Sequence, residues 1–254
     1  MNILAIGDVT GSIGCKFLRA HLPQLKKIKQ VDLVIANGEN SADGNGITPA
    51  SAQFLFDSGV DVITAGNHSF RRREVYEVFD REELLLRPAN FPPGTPGHGS
   101  CIVDKGRLQI GVINLMGVVY LESLDCPFAA ADQLLKKMPA ITLVDFHAEA
   151  TGEKGALAYY LDGRVSAIFG THTHVQTADE SILPNGTGFI TDVGMTGPTH
   201  SVLGVKPELV IQKMRSKMPV RFDLAHGDCH MDCVLFTIDE KTGKTTAVER
   251  LKIQ

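Results

Sequence analysis

No stretch of this sequence approaches the roughly 20 consecutive apolar residues needed to cross a bilayer, so no helical membrane span is expected. There is no basic excess either: 25 Lys and Arg stand against 29 Asp and Glu, a formal net charge of -4. Long nucleic acids attract a basic face, and nothing in this overall balance supplies one. No basic segment precedes the apolar run that begins at Met1-Asn2-Ile3-Leu4, so a secretory leader is not expected. Cysteine is sparse, scattered and odd in number (Cys15, Cys101, Cys126, Cys229, Cys233), which predicts reduced thiols in a cytoplasmic protein rather than a disulfide framework. Linkers, internal repeats and low-complexity segments are absent. With 43% hydrophobic and 21% charged residues there is enough apolar material for a substantial core, and residues 1–254 are expected to form a single domain.

What is present alternates between short apolar runs and helix-like stretches. Ile3–Ile6, Leu33–Ala36 and Val60–Thr64 read as buried strands. Between the first two, Phe17, Leu18, Leu22, Leu25 and Ile28 recur at helical spacing, with Pro23 expected to kink or shorten that helix. Thr48-Pro49 reads as an N-cap and first helical residue, opening a helix that stops at Gly59, and Arg71–Asp80 reads as a further helix. Strand, helix, strand, helix, strand is the pattern of a parallel sheet covered by helices. Further on, Cys101–Asp104 and Leu108–Asn114 flank a Lys105-Gly106 turn, and Ile182-Leu183 and Phe189–Thr191 flank Asn185-Gly186, two hairpin signals. Ile141–Phe146 and Val165–Phe169 are buried runs around a helical Glu153–Leu161. Val220–Leu224, Cys229–Ile238 and Thr245–Ile253 alternate like antiparallel strands. The whole predicts an α/β fold: a two-sheet β-sandwich flanked by helices.

Metal-ligand side chains sit at the ends of those runs. Asp8 follows the first strand; Asn37, Glu39 and Asn40 the second; Asn67 and His68 the third. His147 and Glu149 follow Ile141–Phe146, and His172 and His174 follow Val165–Phe169. In open α/β sheets, sites assemble at the carboxyl edge of the strands. Singly, each residue has a plainer reading: a strand-terminal Asp is commonly a cap, Asn37-Gly38 a turn, His147 a buried histidine, and His172-Thr-His174 a strand with both rings on one face. Together, on five strand ends, they point to a metal centre. Carboxylate, amide and imidazole donors suit Mn, Fe or Zn better than Ca or Mg, with Fe or Mn foremost. The donors are too many for one tetrahedral ion; a carboxylate such as Glu39 can bridge two ions about 3.5–4 Å apart, leaving His68 to protonate a leaving oxygen.

At these residues the sequence resembles the calcineurin-like metallophosphoesterases and their YmdB-like branch. The resemblance runs through Gly7-Asp8, Asn37-Gly38-Glu39-Asn40, Gly66-Asn67-His68, His147-Ala148-Glu149 and Gly170-Thr171-His172-Thr173-His174, with Ile113–Gly117 and Asp192–Gly197 as branch-specific segments. It implies that Asp8, Asn40 and His174 hold one metal, that Asn67, His147 and His172 hold the other, that Glu39 bridges them, and that His68 is the proton donor. It also implies a four-layer sandwich, and a phosphodiesterase in which a metal-bridging hydroxide opens small cyclic nucleotides, 2',3'-cyclic nucleotides favoured. The pattern departs from the family at Thr10, where the wider superfamily has His; at Ser69-Phe70-Arg71, where the branch has Thr-Trp-Asp; and at His200, in place of an acidic residue. Two other readings fit the same donor set: a phosphomonoesterase or protein phosphatase, and a slow or inactive regulatory protein that binds metal and nucleotide. A small phosphorylated nucleotide is the expected partner, with neither long nucleic acid nor membrane; homo-oligomerisation is left open.

Three other features are set aside. Cys229 and Cys233 in His226–Cys233 lie roughly 13 Å apart on a strand that rises about 3.3 Å per residue, too far for one zinc, so they read as a packed face. Arg71-Arg72-Arg73 reads as a solvated helix face, with a substrate-phosphate role as the alternative. Gly11-Ser12-Ile13-Gly14 lacks the ending of a phosphate-binding loop and reads as a tight turn.

Overall fold

The computed structural model describes residues 1–254. The first half contains β1 (Asn2–Ile6), β2 (Asp8–Val9), α1 (Gly11–Lys29), β3 (Leu33–Asn37), α2 (Pro49–Asp57), β4 (Val62–Thr64), α3 (Tyr76–Arg81), β5 (Leu85–Leu86), β6 (Ser100–Asp104) and β7 (Gln109–Met116). Then come α4 (Pro127–Leu135), β8 (Ile141–His147), α5 (Thr151–Leu161), β9 (Ala167–Thr171), β10 (Ser181–Ile182) and β11 (Gly188–Ile190). The chain closes with β12 (Met195–Pro198), α6 (Pro207–Ser216), β13 (Cys229–Ile238) and β14 (Thr245–Ile253). No helix is long and apolar enough to cross a membrane.

Two mixed sheets face each other. In one, β1, β3, β4 and β5 are parallel neighbours, while β13 runs antiparallel between β1 and β14; β12, paired with β2, takes the edge of β13 beyond the end of β1. The other has the order β10-β11-β9-β8-β7-β6, parallel in the middle and antiparallel at both edges. Side chains alternate across each strand, and that period of two builds the layers. Leu4, Ile6, Val34 and Ala36 face the helices, packing with Leu18 and Leu22 of α1 and Leu55 of α2. Ile3, Ala5, Leu33, Ile35 and Val62 face the second sheet and meet Ile110, Val112, Ile141, Leu143, Ala167 and Phe169. On the far side, Ile113, Val144, Phe146 and Ile168 pack with Leu157, Ala158 and Leu161 of α5. Each fully buried aliphatic side chain contributes about 1.5–3 kcal/mol. The result is the four-layer sandwich, helices outside and sheets inside.

The start of α2 is as the sequence predicts. Thr48 Oγ1 accepts the Ser51 N–H at 3.1 Å and Ser51 Oγ accepts the Thr48 N–H at 3.0 Å, a reciprocal cap ahead of Pro49. Elsewhere the structure differs. Gly11–Gly14 is the first turn of α1 rather than a free turn, and Ile28, placed on the apolar stripe by its spacing, is 65% exposed. Residues Arg71–Asp80 are helical only from Tyr76, after a 3-10 turn at Arg73–Val75. Val220–Leu224 forms no strand; Leu224 makes one isolated bridge, to Val205. Pro23 does not shorten α1, which runs 19 residues through it. Proline has no N–H, so the Arg19 carbonyl loses its helical partner, but both residues lie on the exposed side where water replaces it. Replacing this proline restores that bond at the cost of a freer unfolded chain. Pro23→Ala should therefore raise unfolding stability by about 1–3 kcal/mol in urea denaturation. A loss of stability would show that the proline, not the surrounding packing, sets the path of α1.

Candidate metal centre

The face of each strand that looks toward the opposite sheet changes character near its carboxyl end. On β3 the inward positions run Leu33, Ile35, Asn37; on β4, Val62, Thr64; on β7, Ile110, Val112, Asn114; on β8, Ile141, Leu143, Asp145, His147; on β9, Ala167, Phe169, Thr171. Asn37, Thr64, Asn114, Asp145, His147 and Thr171 are all fully buried, and they form a polar floor above the apolar inter-sheet core. At its centre Asp145 accepts hydrogen bonds from Thr171 Oγ1 (2.7 Å) and Thr64 Oγ1, with Asn37 Nδ2 at 3.5 Å. Asn114 Oδ1 accepts the Ala65 N–H at 3.1 Å, a second tie between the sheets. Burial pushes the Asp145 carboxyl up to about 7, with the Thr64 hydroxyl and His147 pulling the other way.

The structure brings every sequence-predicted site residue together on this floor. His147 Nδ1 sits 2.9 Å from Thr171 Oγ1, leaving Nε2 to face Asn67 Oδ1 at 2.9 Å, His172 Nδ1 at 3.1 Å and Glu39 Oε2 at 3.4 Å. The other Glu39 oxygen, Oε1, is turned to Asn40 Nδ2 at 3.1 Å and His68 Nδ1 at 3.2 Å. Asn40 Nδ2 is also 3.3 Å from His174 Nε2, which lies 3.6 Å from Asp8 Oδ1. His68 is half-buried at the mouth, its Nδ1 2.8 Å from Asn40 Oδ1 and its N–H donating to Glu39 Oε2 at 2.9 Å. Asn67 and His68 occupy a turn closed by Ser69 Oγ, which donates to the Gly66 carbonyl at 2.6 Å. Gly66 is required there, because a Cβ would lie 2.3 Å from the His147 ring and 2.4 Å from Glu39 Oε2. A cleft of about 290 Å³ opens over Glu39, Asn40, His68, His172 and His174.

These groups fit a cation better than they fit one another. Burial raises the Asp8 carboxyl, against the pull of His174 and His147, and its Oδ1 is buried without a hydrogen-bond partner. Burial would raise Glu39 too, but His147 and His68 outweigh it and hold the carboxyl well below its usual range. Burial opposes charge on His147, yet Glu39 and Asp8 lift it to about 9. Burial and the neighbouring His147 drop His172 to about 3. The carboxylates thus favour the proton on His147, and His147 in turn disfavours one on His172. Glu39, His147 and His172 alone bring three donor atoms within 4.8 Å of one another.

The loop carrying His172 and His174 is not the strand extension that their spacing predicts. β9 ends at Thr171, and both histidines have left-handed backbone, φ +100° and +60°. Hydrogen bonds from distant residues hold this shape. Asp8 Oδ2 accepts the His172 N–H at 3.1 Å, and Asp192 Oδ2 accepts the Thr173 N–H at 3.1 Å. The same Asp192 oxygen is paired with the buried Lys154 ammonium at 2.6 Å, and Lys154 also donates to the Thr171 carbonyl at 2.9 Å. Glu149 reaches His172 Nε2 at 3.0 Å, the carboxylate–histidine contact that orients metal-binding imidazoles.

Asp145, Thr64 and Lys154 were not singled out by sequence reasoning, and Thr171, Asn114 and Asp192 entered only within family-pattern segments, without a role. The available signal was a carboxylate inside the apolar run Ile141–Phe146, two residues before His147 and therefore on the same face. Arg72 is not a solvated arginine: its guanidinium donates to the carbonyls of Asp43, Gly44 and Asn45 and ties down the loop after Asn40. Of the positions that depart from the family pattern, Ser69 closes the Asn67–His68 turn, and His200 is exposed outside the cleft. Cys233 packs with Met231 and Leu235 on the helix-facing side of β13, the packed face its spacing predicts, and Cys229 begins the same strand.

A four-layer α/β sandwich with carboxylate, amide and imidazole donors on its strand ends has the metallophosphoesterase architecture. The chain superimposes on the Haemophilus influenzae NAD nucleotidase with a TM-score of 0.63 at 14% identity, covering 99% of this chain and 55% of that one, a likeness of fold alone. Residues 4–251 match the YmdB-like protein family, and the chain belongs to it. A 2',3'-cyclic-nucleotide 2'-phosphodiesterase of Bacillus subtilis is 47% identical over 257 residues, covering 100% of this chain and 97% of the relative. Among solved structures, a hypothetical protein from Thermus thermophilus superimposes with a TM-score of 0.94 at 41% identity (99% and 98% covered). A phosphatase from Mycoplasma pneumoniae gives 0.94 at 36% (100% and 93% covered).

The buried Lys154–Asp192 pair should show its role in stability. Lys154→Met leaves a buried carboxylate without its cation and should cost about 3–5 kcal/mol in urea unfolding. The double replacement Lys154→Met/Asp192→Leu should recover part of that loss. A single-variant loss below about 1 kcal/mol would remove the pair from the account of the histidine loop.

Proposed function

We propose that this chain is a metal-dependent phosphodiesterase that hydrolyses small cyclic nucleotides, 2',3'-cyclic nucleotides foremost. The observation that carries the reading is the split orientation of Glu39, one carboxylate oxygen toward His147 and the other toward Asn40 and His68. In this reading Asp8, Asn40 and His174 hold one transition-metal ion and Asn67, His147 and His172 a second, with Glu39 between them; Fe or Mn suits the mixed donors first, then Zn. When bound, such ions would supply an activated water at neutral pH and would neutralise charge on the phosphoryl oxygens. The overlap with the Bacillus subtilis phosphodiesterase along the whole chain supports the substrate class.

The protein's own groups do the rest. The Thr171–His147 contact fixes which imidazole nitrogen faces the centre, and Glu149 does the same for His172. Hydrolysis adds water across one P–O ester bond, and the departing ribose oxygen takes a proton. We assign that proton to His68, a reading supported by its Nδ1 being held by Asn40 while Nε2 is engaged by no protein group and His68 lines the cleft. All cysteines are free thiols, which supports a reducing compartment, and we assign the reaction to the cytoplasm.

The test is metal content and hydrolysis of a 2',3'-cyclic nucleotide measured on one sample, with and without added manganese. About two metals per chain with metal-dependent turnover is the expected result. Metal without hydrolysis of any phosphodiester would replace the enzyme reading with a binding protein. Absence of metal after manganese is supplied would end the metal-centre reading. His68→Ala should lower turnover about 10²–10⁴-fold with metal content intact, and near-normal turnover would remove it from the mechanism. Glu39→Gln should deplete metal; full occupancy of both sites would sink its bridging role.

A further inference from the structure

A second cleft, about 470 Å³, adjoins the candidate centre's Asn67–His68 turn. It shares Asn67 with that centre and is bounded by Phe70, Arg71, Phe91, Tyr120 and Glu122. Its floor is rigid: Phe91 meets Phe70 edge-on at 5.3 Å, and Phe70 is fixed in turn by Tyr76 (5.5 Å) and Phe79 (5.4 Å). Its rim is open. Tyr120 is 86% exposed on left-handed backbone (φ +64°), and its ring and hydroxyl contact no aromatic or hydrogen-bonding partner. A single exposed aromatic needs no explanation. Here it lines one cleft together with an anchored aromatic cluster and an unpaired cation. Arg71 makes no side-chain hydrogen bond and no ion pair, whereas its neighbour Arg72 is fully engaged by loop carbonyls.

We propose that this cleft is a nucleoside subsite: a base stacks against Tyr120 and Phe91, and Arg71 contacts the base face. The inference rests on the phosphodiesterase reading for where the phosphate lies, and it adds which residues recognise the nucleoside. The volume falls in the range of small-ligand clefts, and a few polar groups among aromatic walls is their usual chemistry. Every base has a π face, so stacking on a tyrosine and a phenylalanine holds a nucleoside without demanding one base. Arginine adds a planar cation that stacks on a base face. Glu122 at the rim offers an acceptor for an exocyclic amine.

The test compares substrates with and without a base. Adenosine 2',3'-cyclic phosphate and glycerol 1,2-cyclic phosphate share the five-membered cyclic diester; only the first has a nucleoside. Tyr120→Ala, at an exposed position, should raise KM for the nucleotide about tenfold while leaving kcat and the glycerol diester unchanged. Arg71→Gln should act in the same direction. In parallel, calorimetric binding of adenosine 3'-phosphate should weaken by a similar factor in both variants, while binding of glycerol 2-phosphate stays as in the unmodified protein. Unchanged adenosine 3'-phosphate binding in both variants would overturn the subsite whatever the turnover. Failure of the unmodified protein to hydrolyse either diester would sink the phosphodiesterase reading instead, and the binding comparison would still decide the subsite.

Discussion

A carboxylate buried between two sheets fixes the geometry on which the rest depends. Asp145 has no access to water, and a buried carboxyl is tolerated only when its oxygens are hydrogen-bonded. Its partners come from both sheets: Thr64 and Asn37 from the first, Thr171 from the second. The need to satisfy one acidic group therefore sets how the two sheets align at their carboxyl ends. His147 is two residues further along the same strand face, and its Nδ1 rests on Thr171, so the ring inherits that alignment. From there the geometry passes to Asn67, His172 and Glu39.

Opposed shifts within a few ångströms describe a donor set compressed without a countercharge. Asp8 is raised while Glu39 is lowered, and His147 is raised while His172, 3.1 Å away, is depressed. Left to themselves, the two imidazoles share what one proton can offer, and Asp8 keeps a buried oxygen with no donor. A cation at this point would satisfy the carboxylates and let both histidines be neutral, removing every conflict at once. A structural ion-pair network normally has its charges matched to one another; this one is matched to something external.

Much of this was legible in the sequence, for a definite reason. Period-two alternation and short apolar runs expose strands, and donors at the ends of Ile3–Ile6, Leu33–Ala36 and Ile141–Phe146 follow from where those runs stop. The four layers and both hairpins follow from the same signals. What stayed hidden depends on partners far apart in sequence. The left-handed turn through His172 and His174 is held by Asp8 and Asp192, 164 and 19 residues from the groups they accept. The buried Lys154 reads as an ordinary helix lysine until Asp192 is placed beside it, 38 residues away. Val220–Leu224 alternates like a strand but lacks a neighbouring edge to pair with; only Leu224 finds one residue. Alternation reports which residues can sit in a sheet, not whether an edge is available.

The family-pattern departures at Ser69-Phe70-Arg71 sort by the direction each side chain takes from one turn. Ser69 points inward and closes the Gly66 carbonyl, a task for any short hydroxyl, so the backbone carrying Asn67 and His68 keeps its shape. Phe70 and Arg71 lie on the outer side, where Phe70 joins the aromatic cluster and Arg71 stands free at the rim. Next to Ser69, a side chain at Gly66 would meet Glu39 and His147, where even a Cβ finds no room. The one turn thus serves two surroundings: Ser69 secures the backbone that carries Asn67 and His68, while Asn67, Phe70 and Arg71 line the neighbouring cleft.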